Sequence, residues 1–404
     1  AWAVGFHRDG TAFIGQPGLS LSVTFGEQEY RLGGGINKIR RLADSGGVGG
    51  LTLLTSDFSA MTQNSQPGVD VVLTPMDDGT GYALEPRLGR QTRYVVEQVL
   101  ESSGSIDIPQ GKAVLTLNGK DDPALLEALR ALQPGDPVVL STAVGDPRWT
   151  EVDQALGGVN NILSNGVVAD GLPKERTACT AVGIREDGTV ILYTIDGRQS
   201  GYSVGASFAQ VAERLQELGC VSAVALDGGG STNLGATLPG TEKFAIVNGP
   251  STDGRRVNNS ILLVTDDPGA SGMGPGAYVD GTTQVVLAGA KLPVTATAYD
   301  GAGLPAPDQP LSWTATGGVI TPGTGNTAVY TAGEQAGLYS ISAASSGQGA
   351  MPVQIVDGLS RLRVSKEGST AQLASLTVEP GQTVDLTASG RWWNLPVSMG
   401  DEDV

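Results

Sequence analysis

The chain has 404 residues with a formal net charge of −17, 59 glycines, two cysteines and one histidine. Acidity on this scale repels nucleic acid and anionic surfaces, so a phosphate-bearing substrate requires locally clustered arginines. With His7 the single histidine, histidine triads and multi-histidine metal sites are excluded, two cysteines cannot build a thiolate metal cluster, and acid–base chemistry falls to carboxylates.

The length allows two or three domains. No run of about 20 apolar residues exists to span a membrane. The chain opens at Ala1 with neither an initiating Met nor a signal peptide, which reads as a mature or excised fragment. From Ala1 to about Val264 the pattern is one of short strands with two helices. The first has Asp122 as N-cap, Pro123 at its first position, and Leu125, Leu126, Leu129 and Leu132 along one face, ending before Pro134-Gly135. A hairpin follows: strand 179–185, the turn Glu186-Asp187-Gly188, and strand 189–195, which runs into Asp196-Gly197-Arg198. The second helix starts at Ser207 with Gln210 three residues on as a capping box, turns Phe208, Val211, Ala212, Leu215 and Leu218 inward, and ends at Gly219. Cys179 and Cys220 each lie beside an apolar run and read as buried free thiols ahead of a disulfide.

Residues 221–234 then read V-S-A-V-A-L-D-G-G-G-S-T-N-L. The apolar run is a strand buried on both faces, from whose end Asp227 emerges. Gly228, Gly229 and Gly230 permit conformations closed to other residues and a close ligand approach, and their N–H groups can form an anion-binding concavity beside the hydroxyls of Ser231 and Thr232. Asp196 and Asp227 both end apolar strands and converge if those strands neighbour each other. Two patterns are decoys. G-Y-S-V-G at 201–205 matches a nucleophile elbow, but no histidine follows it. The glycine triplet lacks the Lys-Ser/Thr of a P-loop.

Beyond Asp266-Asp267-Pro268 a Gly/Ala/Ser-rich linker leads to alternating strands around Trp313, the pattern of an Ig-like sandwich without its disulfide. Leu373 to Leu386 repeats the opening of such a module. The organisation expected is a domain over 1–266, a linker at 267–276, an Ig-like sandwich over 277–357, and the start of an incomplete repeat over 358–404. The fold class expected is α+β, a strand-rich mixed domain with few helices followed by all-β Ig-like modules.

As a set, L-D-G-G-G-S at 226–231, D-G-R at 196–198 and V-N-G-P-S-T-D-G-R-R-V-N-N at 247–259 resemble the phosphodiester glycosidase family, strongly over about 140–264 and more faintly from Ala1. The resemblance implies hydrolysis of a sugar-1-phosphodiester of N-acetylhexosamine type, releasing the sugar and leaving a phosphomonoester. It carries catalytic candidacy to Asp227, Asp196 and Arg255. Substrate or phosphate contact falls to Gly228, Gly229, Gly230, Ser231, Thr232, Arg198, Arg176, Asn248 and Asn259. It departs from the family at Cys179, which stands where an arginine is usual, with Arg176 three residues upstream as the substitute. The family's early N-G-x-F-type segment is not found, which reads as a chain beginning inside the catalytic fold.

These readings predict an exported or surface bacterial protein acting on a phosphoglycan or cell-wall polymer, with no nucleic-acid partner, no cofactor and no catalytic metal. Asp266-Asp267 are the residues to suspect for a structural calcium. Two alternatives are a catalytically degenerate glycan-binding scaffold, motivated by Cys179, and a metal-dependent phosphodiesterase.

Overall fold

The computed structural model describes residues 1–44, 46, 48–76, 85–241, 243–252, 255–257, 259–264, 274–281, 284–369, 371–393 and 395–400. The suspected calcium residues Asp266-Asp267, and most of the expected linker, lie outside the described residues. The chain divides into two units, Ala1–Val159 and Asn160–Val404.

The first unit holds a three-stranded antiparallel sheet, Gln154–Gly157, Ala3–Phe6 and Ala12–Gly15 in that order, and an eight-stranded sheet. The strands at the centre of the larger sheet, Gly68–Pro75 and Ala113–Asn118, are buried almost throughout, which is why they read as continuous apolar runs. Helix Pro123–Ala131 packs Leu126 and Leu129 into this core, and the Asp122 carboxylate caps it by accepting from the Ala124 N–H at 2.9 Å. One ionic group is sealed in the same unit. The Arg40 guanidinium lies 3.6 Å from the Asp70 carboxylate, with both side chains essentially without solvent, and donates to Thr116 Oγ1 and the Leu117 carbonyl.

The second unit begins with a five-stranded antiparallel sheet in the order Val167–Val168, Asn160–Ser164, Cys220–Ala225, Cys179–Arg185, Val190–Ile195. The capped helix Phe208–Glu217 covers it with Val211, Ala212 and Leu215. Strand Cys220–Ala225 occupies the middle, so the apolar run before Asp227 is buried by sheet neighbours on both edges and by the helix.

After the short ribbon Gly235–Thr237 and Phe244–Ile246, two further sheets face one core. The four-stranded sheet runs Gly276–Val279, Lys291–Tyr299, Thr327–Ala332, Gly318–Pro322. The seven-stranded sheet runs Ser312–Ala315, Gly337–Ala344, Gln348–Val356, Gln284–Leu287, Leu395–Ser398, Leu386–Trp392, Arg361–Lys366. Trp313 sits on an edge strand, half-buried, and the fully buried aromatic is Tyr330, whose hydroxyl donates to the Thr316 carbonyl at 2.9 Å. Residues 373–385 carry no strand. The strands after them extend the existing sheet, because Leu395–Ser398 pairs in parallel with Gln284–Leu287. No described helix is long and apolar enough to cross a membrane.

Candidate active site

The site is built at one edge of the five-stranded sheet. Strand Cys179–Arg185 runs antiparallel to both Val190–Ile195 and Cys220–Ala225, so those two strands run the same way and finish together. Ile195 stands opposite Cys179 and Ala225 opposite Ala181. Asp196 and Asp227 therefore leave the sheet at the same end. The strands are not immediate neighbours. One strand lies between them, which sets their backbones about 10 Å apart.

Asp196 is held in place by three donors. Asn248 Nδ2 donates to its Oδ1 at 2.7 Å, and the Gly249 N–H and the Tyr202 hydroxyl donate to Oδ2, each at 2.8 Å. Asn248 is fixed in turn, accepting from the Leu234 N–H and donating to the Thr232 carbonyl. Burial, with the Asp196 hydrogen bond added, pushes the Tyr202 hydroxyl up to about 12, so it keeps its proton and remains a donor at neutral pH. Asp227 is placed differently. It is exposed at the strand end, and its Oδ1 accepts from the neighbouring Gly228 N–H at 3.1 Å.

The glycine turn is folded against the sheet by two main-chain bonds, Leu226 N–H to Thr180 O and Gly229 N–H to Ala178 O. Gly229 has φ +61, and a Cβ there would lie 2.7 Å from Arg198 Nη1. At Gly230 a Cβ would lie 3.1 Å from Arg255 Nη1. The missing side chains thus make room for two guanidinium groups, one against each of two successive glycines. Arg198 itself has φ +60, a conformation that costs a non-glycine residue about 1–2 kcal/mol. The strain is kept where it aims a cation at the glycine turn. Gly197 before it is required by crowding: a Cβ would lie 2.3 Å from the Ala178 nitrogen.

The remaining residues singled out in the sequence have definite places. Thr232 is buried, its hydroxyl accepting from Thr180 Oγ1 at 3.2 Å, so it fastens the turn to the sheet. Ser231 is half-buried in the turn. Arg176 reaches Gln210 Oε1 at 3.4 Å, at the cap of helix Phe208–Glu217. Asn259 is exposed, and no described contact ties it to the glycine turn. Cys179 points inward, its thiol near the Thr177 and Ala206 carbonyls; burial raises it to about 11, with the Arg198 cation opposing the shift. Both cysteines are free and buried, and since Cys220 stands opposite Arg185, six residues along the strand from Cys179, about 20 Å separates them.

Tyr202 and Thr252 are site residues that sequence reasoning passed over. Tyr202 lay inside the pattern dismissed as a decoy, and Thr252 donates to the Gly230 carbonyl at 2.9 Å. The pairing of Tyr202 with Asp196 arises from the tight loop in which the N–H of Gln199 and the carbonyl of Ser203 meet at 2.9 Å, and the N–H of Ser203 and the carbonyl of Gln199 meet at the same distance.

Three solved structures show partial, remote similarity. A hypothetical protein from Synechocystis is 18% identical, with a TM-score of 0.42 over 57% of this chain and 40% of that one. An exported-protein candidate from Burkholderia pseudomallei is 19% identical, with a TM-score of 0.41 over 57% and 52%. The zebrafish N-acetylglucosamine-1-phosphodiester alpha-N-acetylglucosaminidase catalytic domain, auto-inhibited by its pro-peptide, is 17% identical, with a TM-score of 0.21 over 62% and 76%. The chain spans two fifths and about half of the first two structures. No curated protein matches it. The phosphodiester glycosidase family model matches residues 91–264, a segment that contains Asp196, the glycine turn and Arg255, and over that segment the chain is similar to the phosphodiester glycosidase family.

Proposed function

We propose that this site hydrolyses a sugar-1-phosphodiester of N-acetylhexosamine type in exported or cell-wall glycans, with the two-sheet module, read as Ig-like, holding the enzyme near its polymer. The observation that carries the reading is the placement of Arg198 and Arg255 against Gly229 and Gly230, at the same sheet edge from which Asp196 and Asp227 emerge. Two guanidinium groups match a phosphodiester in charge, whereas the N–H groups of Gly228, Gly229, Ser231 and Thr232 are bonded within the protein and leave the anion to the arginines. In the reaction, water attacks the anomeric carbon and the bond from that carbon to the bridging oxygen breaks. The electron pair leaves on the phosphate, where the arginines stabilise it and little protonation is needed.

Asp227, exposed and lightly held, takes the proton from water or stabilises positive charge on the sugar. Asp196, fixed by Asn248, Gly249 and Tyr202, is a positioning carboxylate that orders the loop bearing Arg198. The test is turnover of a GlcNAc-1-phosphodiester by the wild type and by Asp227→Asn, with and without chelator. Turnover that survives chelation and is lost in the variant supports the reading; turnover lost on chelation favours a metal-dependent phosphodiesterase.

A second reading is a degenerate glycan-phosphate binder. It rests on Cys179, a neutral buried thiol where the family places a cation. A folded wild-type chain that binds the diester without cleaving it would establish that reading.

A further inference from the structure

The loop that carries Arg198 and Tyr202 is tipped by Ser200 and Gly201, and that tip touches Trp393, just past strand Leu386–Trp392. Gly201 has φ +79, and a Cβ on it would lie 2.3 Å from Trp393 Cβ and 2.7 Å from Trp393 Cγ, so the tryptophan lies directly on the glycine. Ser200, Ser360, Arg361, Arg391 and Trp393 together line a cavity of about 300 Å³, at the lower end of the range for small-molecule sites.

The frame of this cavity is regular. Arg361 and Arg391 are direct cross-strand partners in the pair Arg361–Lys366 and Leu386–Trp392, so both project from one face. Ser360 ties the corner: its N–H and hydroxyl both donate to the Arg391 carbonyl, and its Oγ accepts from the Trp393 N–H at 2.6 Å. Trp393 is held at φ +54 with 59% of its surface exposed, an aromatic face kept in solvent at a strained backbone position.

We propose that this cavity is a second subsite for the polymer side of the substrate, taking the next sugar on the Trp393 face and that sugar's phosphate between Arg361 and Arg391. The proposal rests on the glycosidase reading and narrows its substrate to chains carrying repeated sugar phosphates. Two observations join the subsite to the reacting centre. Ser200 is two residues from Arg198, which limits their Cα separation to about 7 Å. The same loop also carries Tyr202, bonded to Asp196. Two guanidinium groups suit a phosphate, and an indole face suits the apolar side of a sugar ring.

The test uses the full chain and three probes: a sugar-1-phosphodiester whose aglycone sugar carries a second phosphate, the same diester without it, and the corresponding uncharged disaccharide. Dissociation constants come from tryptophan fluorescence, and kcat/KM from release of the anomeric sugar. In the wild type the second phosphate tightens binding and raises kcat/KM by about tenfold or more, and the uncharged disaccharide binds far more weakly. The ratio between the two diesters falls toward one in the Arg361→Gln/Arg391→Gln double variant. Trp393→Ala weakens binding of both diesters, and Trp393→Phe restores most of it.

A ratio near one in the wild type, a ratio unchanged in the double variant, or equal binding of the uncharged disaccharide overturns the subsite. If the two-phosphate probe binds through Arg361 and Arg391 but neither diester is cleaved, the subsite stands and the glycosidase reading fails. Cleavage of both diesters at equal kcat/KM keeps the glycosidase reading and removes the subsite.

Discussion

Asp227 and Asp196 were both legible in the sequence as carboxylates at strand ends, yet their surroundings separate them. Asp227 stands exposed at the mouth of the glycine turn, whereas Asp196 is tied by three donors. Asp227→Asn is therefore expected to lower kcat by two to four orders of magnitude with little effect on stability, a range typical of a lost acid–base group. Tyr202→Phe removes one of three bonds to Asp196 and is expected to cost about 1 kcal/mol, a roughly fivefold loss in kcat/KM that steady-state kinetics would register. The sequence could not disclose Tyr202, because its contact with Asp196 depends on a loop closure that no spacing rule encodes. Cys179 was visible as a departure, but only its burial explains its chemistry. As its thiol is raised to about 11, the folded form disfavours the thiolate, so stability is full below the ordinary thiol range near 9 and falls as pH rises from about 9 to about 11. Chemical denaturation across that interval should show the decline in the wild type and a flatter profile in Cys179→Ala. The native protein should also resist thiol reagents at neutral pH.

The two helices and the hairpin were the most readable elements because their signals are local. Asp122, Ser207 and Gln210 cap where capping chemistry places them, and Gly219, at φ +85, ends the second helix. Ser207→Ala should lower the unfolding free energy by about 1 kcal/mol, measurable by urea titration. Sheet order was less readable. Nothing in the chain's pattern says that Cys179–Arg185 lies between the strands bearing Asp196 and Asp227, since pairing partners far apart in sequence are chosen by packing. The segment after Leu373 misled for the same reason. Its alternation suits a strand, yet residues 373–385 carry none, with the Leu373 N–H donating to the Val364 carbonyl, and Leu386–Trp392 and Leu395–Ser398 join a sheet already present.

At the scale of the molecule, the acidic chain sets Arg198 and Arg255 at the glycine turn and Arg361 and Arg391 beside Trp393, the two places where the proposed reaction and subsite need cations. In the first unit the buried Arg40–Asp70 pair is structural. Removing one partner leaves an uncompensated charge, so Asp70→Ala should cost about 3–5 kcal/mol, while joint replacement of both by apolar residues should cost much less. Thermal unfolding of the single and double variants would separate these cases. The family resemblance, by contrast, was carried by three short motifs spread over about 60 residues, and it pointed to about 140–264 before any sheet order was known; the family model matches 91–264. The proposed reaction breaks the bond between the sugar and the bridging oxygen. The most direct test is hydrolysis of a GlcNAc-1-phosphodiester in oxygen-18 water, followed by mass spectrometry of both products. Label in the anomeric hydroxyl of the released sugar is the predicted result, and label in the phosphate would contradict the account.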